Sequence, residues 1–283
     1  MLNPTPEAYS FERYLQAKQS VDARAFNLRT WQAFVNALAG RSGQSTPIVE
    51  FGAGTGSMAE RLLSSLPNQS IDYTLIDQDS TLLKSAEKTL KELPAVLNGS
   101  ASINMVTSDA AQWLRDSATT VSVDVYVAHA FMDLVVIDGF LDQMLPLLNT
   151  GGLLYFPINF DGLTLFEPQI DAEFEQHILS LYHQSMQNSH SGRDLLHSMM
   201  ARGIQILETG SSDWIVYPRQ NAYPADEAYF LLHILKFFEN ELSGKATLDQ
   251  ARFRSWLDQR RQQIAAGELV YIAHQLDILA QKP

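Results

Sequence analysis

The sequence predicts an α/β fold: a doubly wound, mostly parallel seven-stranded sheet with an antiparallel strand near the C-terminus and added helices forming a cap. Three observations support this prediction. From residue 45 to residue 160, short apolar segments alternate with helical segments, which is typical of a parallel sheet covered on both faces. Beyond residue 160 the alternation ends and longer amphipathic helical segments appear. The last segment has strand-like spacing at Val270, Ile272 and His274, so it can close the sheet.

The N-terminal region is predicted to be a helix over residues 8–39. Five residues recur there at helical spacing and are expected to share one face: Tyr14, Lys18, Val21, Ala25 and Leu28. A linker rich in turn residues, GRSGQSTP at 40–47, separates this helix from the first strand.

Five strands and the helices between them make up the predicted core. The strands, in chain order, are IVEF, IDYTLID, SINMVTSD, VDVYVAHA and GGLLYFPINF. The helices that follow the first four strands are SMAERLLSSL, STLLKSAEKTLKEL, AAQWLRD and GFLDQMLPLL. Crossovers between parallel neighbours are expected to be right-handed.

Four helices and two strands are expected after the core. The helices are predicted at 167–186, 192–203, 223–242 and 248–267. The segment IQILETGSSDWIVYP is predicted to be a strand kinked at Gly210. The segment ELVYIAHQLDIL fits a strand or a helix, and as a strand it would pair with IQILETG.

The chain of 283 residues is expected to fold as one domain over 1–283. No internal repeat or low-complexity tract interrupts it. The predicted divisions are N-terminal helices at 1–44, a cofactor-binding core at 45–160, and the C-terminal half of the sheet at 161–283. Two helical insertions are expected within the C-terminal half, at about 165–190 and about 225–264.

Composition argues against several classes of function. The formal net charge is −12, so nucleic acid is not an expected partner. Cysteine is absent, which excludes disulfides, thiolate metal sites and cysteine nucleophiles, and no histidine spacing indicates another metal site. The most apolar stretch is interrupted by Asp133, Asp138 and Asp142, so it is too polar to be expected to span a membrane. The N-terminus lacks the pattern of a secretory signal. We therefore expect a cytoplasmic protein without a membrane partner.

The first strand runs into a glycine-rich turn, E-x-G-x-G-x-G from Glu50 to Gly56, and then into a helix. Backbone N–H groups at such a helix start can bind an anion or a carboxylate, and glycines let a ligand approach closely. The dinucleotide pattern G-x-G-x-x-G requires a glycine where Ser57 stands. An NAD(P)-dependent oxidoreductase stays open as an alternative, as does a tight turn without a ligand.

The segment Glu50-Phe51-Gly52-Ala53-Gly54-Thr55-Gly56 resembles the first motif of the class I S-adenosyl-L-methionine (SAM) dependent methyltransferases. Later motifs match in order over roughly residues 45–160, up to the turn Gly151-Gly152 before the fifth strand. The resemblance implies a Rossmann-like fold, SAM as cofactor and S-adenosyl-L-homocysteine (SAH) as product. It also implies that Asp77 binds the ribose hydroxyls and that Asp109 accepts from the adenine amino group.

In similar enzymes an N-terminal helix often closes over the cofactor, so a cation of Lys18 or Arg24 could pair with its carboxylate. Solvated charges are the alternative for these two residues, and a helix N-cap is the alternative for Asp109. The cofactor-binding residues that the resemblance implies are Lys18, Arg24, Glu50, Gly52, Ala53, Gly54, Gly56, Asp77, Gln78, Asp109, Ala110 and Ala130.

His129 follows the fourth strand and is the candidate general base, with simple packing as the alternative. Phe131, Asn159 and Asp213 are candidate substrate-binding residues. The predicted function is methyl transfer to a small-molecule acceptor whose reacting atom, O, N or C, is left open. A non-catalytic SAM-binding protein is a further alternative. The added helices are expected to form the cap, although the same faces could form a homodimer.

Overall fold

The computed structural model describes residues 8–41, 45–117 and 122–283, which form two compact units. The sheet unit consists of residues 26–161, 190–212 and 275–283. The helical unit consists of residues 8–25, 162–189 and 213–274. The predicted core at 45–160 falls within the sheet unit, and a single domain over the whole chain stays a prediction.

The sheet unit contains a sheet and the helices that join its strands. Its strands are β1 (Thr46–Phe51), β2 (Ile71–Asp77), β3 (Ala101–Thr107), β4 (Val123–Ala128), β6 (Gln205–Ser211) and the larger parts of β5 (Leu148–Glu167) and β8 (Val270–Gln281). Its helices are α2 (Leu28–Ala39), α3 (Ser57–Ser65), α4 (Ser80–Leu90), α5 (Pro94–Leu97), α6 (Ala110–Ser117), α7 (Ile137–Met144) and α9 (Ser191–Ala201). Short 3-10 turns lie at Met132–Leu134 and Leu145–Leu147.

The helical unit holds the added helices and the remaining ends of β5 and β8. Its elements are α1 (Phe11–Ala25), α8 (Ala172–Ser185), β7 (Trp214–Val216), α10 (Glu227–Leu242) and α11 (Gln250–Ala266). β7 pairs antiparallel with β8, with Trp214 opposite Ala273. Aromatic side chains fill its interior, such as Phe238, which stacks on Tyr182 with ring centroids 3.8 Å apart. The helices expected after the core are therefore present.

Within the described ranges the sheet has eight strands in the order β3-β2-β1-β4-β5-β8-β6, with β7 paired to β8. The pairs β1–β2, β1–β4, β2–β3 and β4–β5 are parallel. β6 runs antiparallel to β8, with Gln205 opposite Gln281 and Ser211 opposite Leu276. This order confirms the mostly parallel sheet and its antiparallel strand. It also resolves the ambiguous C-terminal segment as a strand that pairs with IQILETG.

Neighbouring residues of β1 face opposite sides of the sheet, and each side is covered by helices. Ile48 packs in the layer that contains Phe34 of α2 and Leu62 of α3. Val49 packs in the layer that contains Leu141 of α7 and, from α9, Leu195. Helices on both faces confirm the doubly wound arrangement.

The predicted helix over 8–39 is two helices, α1 and α2, which separate at Phe26–Asn27. Asn27 is the N-cap of α2, and its side chain accepts a hydrogen bond from the Thr30 N–H at 3.1 Å. The Asn27 N–H donates at 2.8 Å to the carboxylate of Asp277, about 250 residues away in sequence. Leu28 is 74% exposed, whereas the other four residues predicted on its face are buried.

The predicted strand over 204–218 is divided into β6 and β7 at Ser212–Asp213, so the sheet has eight strands where the sequence predicted seven. The kink expected at Gly210 is wrong, because Gly210 lies inside β6. A Cβ atom at Gly210 would lie 2.2 Å from Nδ2 of Asn27. This glycine therefore permits the close approach of a neighbouring side chain rather than a change of direction.

Candidate functional site

The glycine loop joins the end of β1 to the start of α3. Gly52, Gly54 and Gly56 all have left-handed backbone, with φ of +65°, +52° and +78°. A Cβ at position 52 would lie 2.5 Å from Cδ2 of Phe131, and one at position 56 would lie 2.9 Å from Cβ of Ala86. Two of the glycines are therefore required both by backbone conformation and by close packing.

Gly56→Ala is expected to lower the free energy of unfolding by about 2–4 kcal/mol, because left-handed strain adds to the contact with Ala86. Gly99→Ala is the matched control: it has φ of +77° but nothing within 4 Å of an added Cβ, so strain acts alone. Urea denaturation of both variants measures the difference. Equal losses in the two variants would contradict a packing role for Gly56.

Asp77 ends β2 and fastens the glycine loop. Its Oδ2 accepts the N–H of Gly54 at 2.8 Å, and its Oδ1 accepts the N–H of Asp79 at 2.9 Å. A carboxylate has about four acceptor sites, so acceptor capacity remains for the two hydroxyls of a ribose. The side chain is half-buried and the next residue, Gln78, is exposed. The arrangement fits the ribose-binding role that the family resemblance implies for Asp77, and that role stays a prediction.

Glu50 lies inside β1 and is 1% exposed. The Tyr73 hydroxyl of β2 donates to its Oε2 at 2.9 Å. Burial raises the pKa of Glu50 to about 8; the Tyr73 hydrogen bond lowers this pKa and the charge of Asp77 raises it. Burial also raises the pKa of Tyr73, so the phenol keeps the proton that it donates. At neutral pH the Glu50 carboxyl is mostly protonated.

Asp109 follows β3 and starts α6. Its Oδ1 accepts the N–H of Gln112 and its backbone carbonyl accepts the N–H of Trp113, both at 2.9 Å. The side chain is exposed and Ala110 beside it is buried. The capping geometry given as an alternative is therefore present. The second carboxylate oxygen can still accept a hydrogen bond, so the adenine role stays a prediction.

The segment 129–131 follows β4 and lies against the glycine loop. Ala130 has φ of +49°, and its N–H donates to the carbonyl of Pro157 at 3.0 Å. The Phe131 ring stacks on Phe51 with centroids 6.3 Å apart, and it fills the space beside the glycine at position 52. His129 is half-buried and its ring centroid lies 5.3 Å from that of Phe26. Both the packing and the catalytic interpretation of His129 remain open.

β5 carries polar features that the sequence did not predict. Asn159 lies within β5, and its fully buried amide donates to the carbonyls of Phe156 at 2.6 Å and Leu276 at 2.8 Å. Ile158 beside it has φ of +61°. Its N–H donates at 2.7 Å to Asp277, a fully buried carboxylate of β8. The signal that could have found Asp277 is a single charge inside an apolar strand.

Three further predicted site residues lie in the helical unit, where two form ion pairs and the third, Asp213, forms a hydrogen bond with a histidine. Lys18 is buried and pairs with Asp22. Arg24 donates to the buried carboxylate of Glu227, with Nη2 at 2.9 Å from Oε2. Asp213 pairs with Nδ1 of His274 at 2.8 Å. These contacts give each side chain a structural partner, and their roles toward cofactor or substrate stay predictions.

Two negative findings apply to the part of the chain that the structure describes. No cluster of three or more His, Cys, Asp or Glu side chains there has the arrangement of a metal site. None of the described helices combines the length and apolarity that crossing a bilayer would need.

The residues at the carboxyl ends of β1 to β4 fit a SAM molecule by their chemistry. The glycine loop, part-exposed at Gly52 and Thr55, has a left-handed backbone that glycine permits, and the end of β2 presents a carboxylate with spare acceptor sites. Adenosine offers a ribose diol and an amino group as donors, which suit carboxylate acceptors.

The comparisons agree with that fit. The family model described as "Putative S-adenosyl-L-methionine-dependent methyltransferase" matches residues 27–193. A SAM-dependent methyltransferase from Geobacter sulfurreducens, solved with S-adenosyl-L-homocysteine, is 14% identical with a TM-score of 0.53, covering 96% of this chain and 98% of that one. A second from Thiobacillus denitrificans, also solved with S-adenosyl-L-homocysteine, is 15% identical with a TM-score of 0.51, covering 96% and 98%.

A sequence search of curated proteins gives no match. At their low identities the solved structures support the fold alone. The family model, by contrast, spans more than half of the chain, from the start of α2 to the start of α9 and including the glycine loop. The protein therefore belongs to this family of SAM-dependent methyltransferases.

Proposed function

We propose that the protein transfers a methyl group from SAM to a small-molecule acceptor, at an O, N or C atom. The observation behind this proposal is the glycine loop held by Asp77, whose two oxygens fasten Gly54 and Asp79. That contact fixes both the loop N–H groups and the carboxylate before any ligand arrives. Preorganised donors and acceptors bind a ligand at lower entropic cost.

Each binding residue has a role that follows from its chemistry. Asp77 and the neighbouring Gln78 hold the ribose, and Asp109 with Ala110 borders the adenine. The backbone of the loop, at Gly52, Ala53, Gly54 and Gly56, is proposed to border the methionine part, and Ala130 the sulfur. Three of its N–H groups already have protein acceptors: that of Ala53 donates to Ile76, that of Gly54 to Asp77 and that of Gly56 to Ala53. Lys18 and Arg24 are proposed to approach the carboxylate of the methionine part. Glu50, which lies two residues before Gly52, is proposed to contribute to the cofactor site.

When bound, SAM supplies an electrophilic methyl group on a sulfonium. Positioning provides most of the acceleration of such an in-line displacement, so the protein's main task is to hold the acceptor in line. His129, half-buried at the end of β4, is proposed to take the proton of an acceptor hydroxyl or amine. Phe131, Asn159 and Asp213 are proposed to orient the acceptor.

The net charge of −12 favours an acceptor other than nucleic acid, because the protein's overall field repels phosphates. The apolar segments of the added helical region, such as LTLFEP, SLYH and AYFLLHILKFF, are proposed to supply apolar contact area for a small molecule. A cap formed by the added helices, a homodimer and a cytoplasmic location stay predictions.

SAH is expected to raise the unfolding midpoint, whereas NAD and NADP are not. At 100 times its dissociation constant a ligand adds about 2.7 kcal/mol, which corresponds to roughly 5 °C or more for a chain of this size. A thermal-shift titration measures this difference. A shift with NAD or NADP and none with SAH would favour the oxidoreductase alternative.

Transfer itself is tested with SAM labelled in its methyl group. The protein is incubated with a cell extract divided by ultrafiltration into small molecules and macromolecules. After chromatography has removed the labelled SAM itself, label is expected in the small-molecule fraction only. Label in the macromolecular fraction would overturn the acceptor class. Binding of SAH without label in either fraction would favour the non-catalytic alternative.

A further inference from the structure

β5 changes direction at a strained residue next to the candidate site. Ile158 has φ of +61° and is buried. A branched side chain is a rare outlier in this left-handed region, because its methyl groups crowd the backbone. Such strain persists only where the surroundings enforce it. The carboxylate of Asp277 does so, since its Oδ1 accepts the Ile158 N–H at 2.7 Å.

The same carboxylate holds a second segment of the sheet unit. Its Oδ2 accepts the N–H of Asn27 at 2.8 Å, and Asp277 itself has no exposed surface. Each carboxyl oxygen accepts one backbone N–H, so the side chain satisfies two backbone donors at once. An asparagine of the same shape has one acceptor oxygen and would direct an NH₂ donor at the other N–H.

The two segments that Asp277 holds, at Ile158 and at Asn27, each have a neighbouring residue that contacts the segment after β4. Pro157, just before the bend, accepts the Ala130 N–H at 3.0 Å, and Ala130 is itself left-handed with φ of +49°. Phe131 comes next and packs against the glycine loop. On the other side, Phe26 precedes Asn27 and its ring packs on His129 at 5.3 Å.

We propose that Asp277 is a positioning residue for methyl transfer. By holding Ile158 in the left-handed conformation it fixes Pro157, and through the carbonyl of Pro157 it fixes the segment 129–131 beside the glycine loop. The inference rests on the proposed function in one respect, namely that this segment borders SAM and the acceptor. The carboxylate acts at a distance and touches neither molecule.

A double-mutant cycle between positions 277 and 158 tests this mechanism. Glycine adopts left-handed backbone without steric cost, so in an Ile158→Gly background the carboxylate is no longer needed to hold the bend. Asp277→Asn is expected to weaken SAH binding at least tenfold in the natural background and less than threefold in the Ile158→Gly background. Isothermal calorimetry at 10 °C measures all four proteins.

The loss of the Asn27 contact occurs in both backgrounds and cancels from the coupling. Asp138→Asn is the control: this exposed aspartate of the same unit pairs with Arg202, and its replacement is expected to leave SAH affinity within twofold. Equal losses in the two backgrounds, or an unchanged affinity in Asp277→Asn, would overturn the inference. Failure of the natural protein to bind SAH would instead overturn the proposed cofactor site.

If Asp277→Asn alone does not fold, the coupling between positions 277 and 158 is measured by whether the double variant folds, as well as by its affinity for SAH. Circular dichroism of the double variant then decides. A folded double variant that binds SAH within threefold of Ile158→Gly supports the mechanism, because glycine has replaced the function of the carboxylate. A double variant that is also unfolded, or that has lost SAH binding, contradicts it.

Discussion

Asp77→Asn is expected to weaken SAH binding by about 2 kcal/mol, roughly 30-fold. Each oxygen of the carboxylate already accepts one backbone hydrogen bond, one from the N–H of Gly54 and the other from the N–H of Asp79. A ribose diol would add two more donors to the same group. The amide oxygen of asparagine retains part of this acceptor capacity but loses the charge and one of the two acceptor atoms.

Asp72→Asn is the matched control for this experiment. Asp72 lies on the same strand, is exposed, and accepts a hydrogen bond from Ser102 on β3. It is expected to bind SAH within twofold of the natural protein. Calorimetry measures both variants, with far-UV circular dichroism to show that each is folded. An affinity for Asp77→Asn within twofold of the natural value would remove Asp77 from the site.

The parts of the fold that local signals determine were predictable from the sequence. Strand β2 has the bounds of the segment IDYTLID, and the glycine loop lies where its spacing indicated. Asp79 and Asp109 precede helices α4 and α6, and each side chain caps its helix by accepting backbone N–H hydrogen bonds, a short-range property of the sequence. Each of these features depends on residues within a few positions of one another.

The features that sequence reasoning missed depend on contacts between distant segments. The helical period runs without interruption through Ala25 and Leu28, and it masks the one local sign of the break, namely that Asn27 is a preferred N-cap residue. The break is stabilised by Asp277, which also stabilises the left-handed Ile158. A kink was likewise predicted at Gly210, because the side chain that occupies the space of a Cβ there belongs to Asn27, which is distant in sequence.

Glu50→Gln is expected to become more stable relative to the natural protein as the pH rises from 5 to 8. The pKa of Glu50 in the folded protein is about 8, against an ordinary value of 4.5, chiefly because of burial. Between these two values the folded state keeps the proton and the unfolded state loses it. The unfolded state therefore binds fewer protons, and the free energy of unfolding of the natural protein falls with rising pH.

Glutamine has nearly the shape of the protonated carboxyl and does not titrate. The free energy of unfolding of the Glu50→Gln variant therefore does not decrease with rising pH through this group. The difference in unfolding free energy between Glu50→Gln and the natural protein should grow in favour of the variant by on the order of 3 kcal/mol between pH 5 and pH 8. Urea denaturation across this range measures it. Glu92→Gln, at an exposed position of the same unit, serves as the control and should show no such growth.

A constant difference between Glu50→Gln and the natural protein across the pH range would show that Glu50 is ionised at neutral pH. Burial would then be outweighed by a hydrogen bond to the charged form, for which Tyr73 at 2.9 Å is the donor present. Repeating the titration with saturating SAH separates two placements of Glu50. An ammonium group of the ligand close to Glu50 would lower its pKa and flatten the pH dependence, whereas a Glu50 that only supports the loop would keep the same slope with SAH bound.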